Sequence, residues 1–205
     1  MKAIVVATVS LVGLLAMAAV LAGGQMGSIA ADNDSKAEAV ADANGNLHVP
    51  DAYRTRYQFL GTWAVAADQG QGSAELHDVY ASPGAIIAYR KDGHFPDGAV
   101  LVKEVYRAAT GQMTTGTVSH AGSLRGWFVM MKDNIGRYPG NELWGDGWGW
   151  SWFDAADPLT PSRSLPLKGG GTATSNDYRA NCKPCHLPAQ ASEWIYVGGY
   201  PPLRR

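Results

Sequence analysis

Cysteine is almost missing from this chain: two of 205 residues, Cys182 and Cys185. So low a count excludes a disulfide-stapled scaffold, which needs several bridges, and argues against a structural zinc site, which usually draws on two such pairs. Charge is also sparse, at 17% of residues, and 17 basic side chains nearly cancel 18 acidic ones. No run of Lys or Arg stands out. The footprint of a nucleic-acid binder is therefore missing, and no nucleic-acid partner is expected. Internal repeats are absent too. In their place the sequence offers 46% hydrophobic residues, enough for a packed core. Its 25 Gly, 11 Pro and repeated strand patterns argue against a helical bundle.

One long apolar run exists, at the start. Lys2 precedes the stretch from Ala3 to Leu21, broken by Thr8, Ser10 and Gly13, and small residues follow in "GSIAAD". This reads as a secretory leader with a cut after Ala30 or Ala31. The run is close to the roughly 20 residues that span a bilayer, so an uncleaved anchor is the competing reading. Both readings export the remainder, which implies a periplasmic protein. Residues 1–31 are thus expected to be leader or anchor, 32–46 a polar, Ala-rich spacer, and 47–205 one folded domain.

Within that domain the patterns alternate. A short helix is expected around Asp51–Tyr57, with Asp51 as a possible N-cap, followed by a strand at Leu60–Val65. "ELHDVYASPGAIIAYRKDGHFPDG" gives a strand, a helix from about Pro83 to Arg90, and a loop. "AVLVKEVYRA" is the strongest strand, and "TTGTVSH", "GWFVMMKD" and "GWGWSWFDA" read as three more. Trp148, Trp150 and Trp152 recur at period two and so share one strand face. That stripe reads as core rather than pocket wall. Pro161–Asn176 reads as a loop, and "DYRANCKPCH" as helical at its start despite Pro184.

The chemistry concentrates in "NCKPCHLP", residues 181–188, where both cysteines sit three apart and His186 follows at once. A thioredoxin-type pair wants a βαβ context, and a disulfide here would close too small a loop to stabilise much. Cys-x-x-Cys-His also fits covalent attachment of one haem c. Two thiols on one turn can each add to a vinyl group of the same porphyrin edge, and the neighbouring imidazole then falls beneath the iron. An exported thiol pair left free would be oxidised, which favours this reading. Cys182 and Cys185 are therefore expected to tether the haem, and His186 to be the proximal iron ligand.

The sixth coordination position decides between electron transfer and small-molecule chemistry. No methionine follows His186, so a Met ligand would have to be Met113, Met130 or Met131. The adjacent pair Met130 and Met131 points to opposite faces of a strand, and one of them is expected in the core.

Four blocks carry a wider likeness: "HVPDAYRTRYQFLGTW", "VYASPGAIIAYRKDGHFPDGAVLVKEV", the C-terminal Cys-x-x-Cys-His, and "YVGGYPPLR". In this order they resemble the cytochrome P-460 family, which includes the cytochromes c′-beta. The likeness covers about Leu47 to Arg204. It implies an α+β fold, predominantly an antiparallel β-sheet with a few short helices, ending in the haem c attachment. It further implies a homodimer and a five-coordinate haem iron open to small nitrogen compounds. In true P-460 cytochromes a lysine is bonded to the porphyrin rim, and matching "FPDGAVLVKEV" assigns that role to Lys103. Strand alternation alone leaves the point open, because Lys103 shares a face with Leu101 and Val105 while Glu104 shares the other with Val100 and Val102. Hydroxylamine-oxidising members carry a distal carboxylate, and the matching position here is Phe128. No Asp or Glu follows before Asp133. An apolar side chain there suits neutral NO better than proton abstraction.

The likeness also places the strand of His77 near the haem, as a distal hydrogen-bond donor or base, and Arg204 is a candidate partner for a propionate. His48, His94 and His120 read as loop or strand-end residues. Two functions follow. The first is oxidation of hydroxylamine through an iron–nitrosyl state, with an external electron acceptor. The second is non-catalytic binding or buffering of NO. A six-coordinate electron carrier is the third.

Overall fold

The computed structural model describes residues 40–162, 165–166, 172–173 and 177–205, the two short middle segments by backbone alone. The expected leader and most of the expected spacer lie outside the described residues. Among those described, no helix is long and apolar enough to cross a membrane.

Six strands form one antiparallel sheet in the order β1-β2-β3-β4-β6-β5. They are β1 (Gln58–Ala66), β2 (Ser73–Ala81), β3 (Val100–Met113), β4 (Gly116–Lys132), β5 (Trp144–Gly145) and β6 (Trp148–Asp154). Four short helices accompany them: α1 (Tyr53–Arg56), α2 (Ala85–Asp92), α3 (Tyr178–Asn181) and α4 (Lys183–His186). The fold is thus α+β and mostly β, as the sequence implies.

Boundaries differ in instructive places. "TTGTVSH" and "GWFVMMKD" are one strand of 17 residues, not two. Irregular pairing opposite Val105–Ala108 absorbs the Gly-rich middle that reads as a break. Gly126 sits at that irregularity, where a Cβ would overlap the Phe153 carbonyl oxygen and the Trp152 indole. Helix α1 starts at Tyr53 with Ala52, not Asp51, in the cap position. Helix α2 begins two residues after Pro83 and closes on Gly93 in the left-handed conformation. Pro161–Asn176, expected as plain loop, contains a pairing of β7 (Leu165–Pro166) with β8 (Thr172–Ala173).

Both faces of the sheet are covered, so β3 is buried on both sides and reads as a nearly continuous apolar run. One face carries Val100, Val102, Trp127, Val129 and Phe153, packed against Leu47, Val49 and Tyr53. The other carries Val79, Leu101, Met130, Trp148 and Trp150, packed against α2 and the C-terminal segment through Ile86, Tyr89, Tyr178, Trp194 and Leu203. Between that C-terminal segment and the second face the packing opens into a cavity.

Candidate functional site

The C-terminal segment forms the roof of the cavity. Helix α3 is capped by Asp177, whose carboxylate accepts from the Arg179 N–H at 2.8 Å. Cys182 ends α3 and begins α4. Pro184 falls in the first turn of α4, where no helical N–H is needed. That explains how this sequence stays helical through a proline. The roof is fixed to the sheet by the Tyr178 ring, stacked on Trp150 at 5.8 Å. Asp146 adds a second anchor: it accepts from the Tyr178 hydroxyl at 3.0 Å and pairs with Lys183 at 2.8 Å.

His186 is oriented from behind. Its Nδ1 lies 2.6 Å from the Trp194 carbonyl oxygen. A carbonyl only accepts, so Nδ1 carries the proton and Nε2 keeps its lone pair for a metal. Burial holds the imidazole below its ordinary pKa, which favours the neutral, ligating form. The turn presenting this carbonyl is strained: Glu193 and Trp194 have φ of 57° and 67°. It is pinned by Glu193, which accepts from the Phe95 N–H at 2.6 Å and pairs with buried Lys132 at 2.9 Å.

The floor is the sheet. The cavity measures about 510 Å³, and Cys182, Cys185, His186, Lys103, Phe128 and His77 all line it. Neighbouring strands set the arrangement: Lys103 pairs in register with Val79 on β2 and with Phe128 on β4. The Lys103 ammonium lies 4.2 Å from the Phe128 ring centroid, and that ring packs on Trp152 at 4.6 Å. Burial pulls the Lys103 pKa down to about 8. Its amine has no hydrogen-bond or carboxylate partner among the described residues. An amine whose pKa is lowered toward neutrality exposes its lone pair more readily than an ordinary lysine does.

Other sequence expectations land elsewhere. Arg204 is exposed and not among the residues that line the cavity. Arg125 on β4 lines it instead. Met113 is exposed and Met131 packs on the far face, whereas Met130 lines the cavity. The tryptophan stripe divides: Trp148 is core, while Trp150 and Trp152 are both buried and cavity-lining. The stripe runs out from under the helices, so one face serves both purposes.

One residue escaped the sequence reading. Glu75, two before His77 on β2, also lines the cavity. Its carboxylate accepts from His77 Nε2 at 3.0 Å and is clasped by the Arg125 guanidinium. Burial pushes the Glu75 pKa up, but these two contacts outweigh it and hold the group below the ordinary carboxylate value. The alternation in "ELH" was the available signal.

The donor set suits a metal that arrives inside a macrocycle. Among the described residues, no group of three or more His, Cys, Asp or Glu could hold a bare ion. Yet one imidazole is oriented with a free lone pair, two unpaired thiols adjoin it, and the cavity is large and apolar-walled. Trp152, on the same wall, keeps a buried indole N–H without a partner among the described residues. The residues present fit a haem. In agreement, residues 50–197 match the model of the family described as Cytochrome P460. No curated protein matches the chain.

Proposed function

The chain belongs to the cytochrome P460 family, a family of haem c cytochromes; from that premise we propose that it is an exported mono-haem cytochrome that oxidises hydroxylamine or a similar small nitrogen compound. The observation that carries the reading is Lys103, an unpartnered amine in the same cavity as Cys182, Cys185 and His186. When bound, the haem supplies an iron at which the nitrogen compound is held and through which electrons leave to an external acceptor.

In this reading the thiols of Cys182 and Cys185 would hold the porphyrin by adding across its two vinyl groups as thioethers, and His186 Nε2 would ligate the iron. The Trp194 carbonyl keeps that imidazole in one tautomer. The Lys103 amine would hold the porphyrin rim as a third anchor, its depressed pKa leaving the nitrogen lone pair more available than in an ordinary lysine. Val79, Leu101, Val105 and Phe128 wall the guest from water. The domain acts in the periplasm, released from its leader or held by it, and pairs as a homodimer.

A second reading, reversible NO binding without turnover, is favoured by one observation. Phe128 stands beside Lys103 in the cavity with its ring packed on Trp152, and such a wall discriminates for a neutral diatomic guest. Hydroxylamine added to the holoprotein with a dye acceptor separates the two. Dye reduction that scales with hydroxylamine is expected. No dye reduction at any pH, together with NO uptake by the reduced protein, would replace the first reading by the second.

A further inference from the structure

Phe128 leaves the middle of the floor without a proton acceptor, but β2, two strands away in the sheet, supplies one. Glu75 and His77 project from β2 into the same cavity, and Arg125 reaches Glu75 from β4. We propose that His77 is the proton acceptor for an N–H or O–H guest in this cavity, with Glu75 and Arg125 as its positioning residues. The inference rests on the functional reading above and deepens it.

The geometry defines each role. His77 Nε2 donates to the ionised Glu75 carboxylate at 3.0 Å, which fixes the tautomer and leaves Nδ1 with a lone pair. Nδ1 has no partner among the described residues. In the transfer, the guest N–H or O–H bond breaks and an Nδ1–H bond forms. The guest's conjugate base stays in the cavity, and the new imidazolium is balanced by Glu75. This is the division of labour of a carboxylate–histidine pair, in which the carboxylate orients and stabilises without taking the proton. Arg125 keeps Glu75 ionised and anchored.

The charges around His77 keep it poised as a base. Glu75 on its own strand favours the protonated form, while Arg125 on β4 opposes it, as does Lys103 on β3 for as long as its amine is free. From β1, the register partner is Trp63, which cannot titrate in this range. From the roof, Cys182, Cys185, His186, Tyr196 and Tyr200 face the cavity. Two of these would be thioethers, one an iron ligand, and the tyrosines are neutral near pH 7. Burial is the first cause that holds His77 below the ordinary imidazole value, and it does not depend on Lys103, whose charge adds to it only while the amine is free. The ring is therefore neutral and able to accept at neutral pH.

Hydrogen cyanide and carbon monoxide test this on the holoprotein. Cyanide binds ferric iron only after giving up its proton, whereas CO binds ferrous iron with no proton to move. His77→Leu should slow cyanide association about 100-fold, and Glu75→Gln about tenfold. CO association should change less than about twofold in both. By NMR of the ferrous CO form, Glu75→Gln should lower the titration midpoint of His77, because the carboxylate favours the imidazolium. Cyanide rates equal to wild type in His77→Leu, or an equal slowing of CO, would overturn the inference. So would an unmoved His77 titration in Glu75→Gln, a variant that keeps shape and so guards against a folding defect. If the wild-type ferric protein takes up no cyanide at all, the open iron site itself is wrong, and this inference falls with it.

Discussion

Lys103 and Glu104 are neighbours on β3, yet they point to opposite faces of the sheet and live in opposite circumstances. Glu104 is almost fully buried and fully answered: it accepts from the Tyr53 hydroxyl and from Arg54 Nε at 2.6 Å, while Trp127 Nε1 donates to Tyr53 at 2.8 Å. Burial and the hydrogen bond to Glu104 push the Tyr53 phenol far up, so it stays a neutral donor. Lys103 has only the face of Phe128 and a pKa drawn down to about 8. A buried charge with every bond made belongs to the architecture. A buried amine left without one fits the haem contact proposed for Lys103. The two sides of a single strand thus divide the labour of the protein.

The comparison can be broken most forcefully at Glu104. Glu104→Ala should remove about 3 kcal/mol of stability, the low end for a broken buried pair because Arg54 reaches solvent. Urea denaturation followed by tryptophan fluorescence measures it, and the visible spectrum should stay as in wild type. A loss below about 1 kcal/mol would erase the contrast. Next in size is Glu193→Gln, which weakens the pin on the strained turn behind His186. It should cost about 1–2 kcal/mol and, unlike Glu104→Ala, shift the iron–histidine stretch in the Raman spectrum of the reduced protein.

Lys103→Met should do the reverse of Glu104→Ala. Stability should move by less than about 1 kcal/mol, since Lys103 makes no hydrogen bond to the described residues and Cys182, Cys185 and His186 would still hold the haem. The absorption spectrum, however, should change strongly, with loss of the red shift that a rim-bonded haem produces. The smallest effect concerns acid. Glu75 has a folded pKa below its ordinary 4.5, so its stabilising contribution is complete above that pH and is lost as pH falls through the lower folded value. Comparing Glu75→Gln with wild type from pH 7 to pH 3 should show a gap of under about 1 kcal/mol that closes in acid. A gap that widens in acid would reverse the sign.

Short-range grouping was legible in the sequence. Cys182, Cys185 and His186 stand together in the chain and line one cavity in the fold, and β3 is apolar enough to be recognised as a strand. Pairing between strands was not legible. Period-two alternation could not say whether Lys103 or Glu104 faces inward, and the answer is that both do, because the sheet is covered on both sides. Glu75 was overlooked for a related reason. The family likeness points to β4 at Phe128 for a carboxylate, whereas the carboxylate that lines the cavity comes from β2, two strands away in the sheet order. Arg204 and Arg125 show the same limit, since nothing local in "LRGWF" or "PPLRR" reports which arginine meets the cavity.

Digestion of the purified, coloured holoprotein followed by mass spectrometry tests the central claim most directly. The expected result is one haem that resists extraction into acidified solvent, borne by a single fragment joining the segment around Lys103 to the segment holding Cys182 and Cys185. A pigment that extracts cleanly, leaving both thiols free to titrate and the Lys103 peptide unmodified, would contradict it.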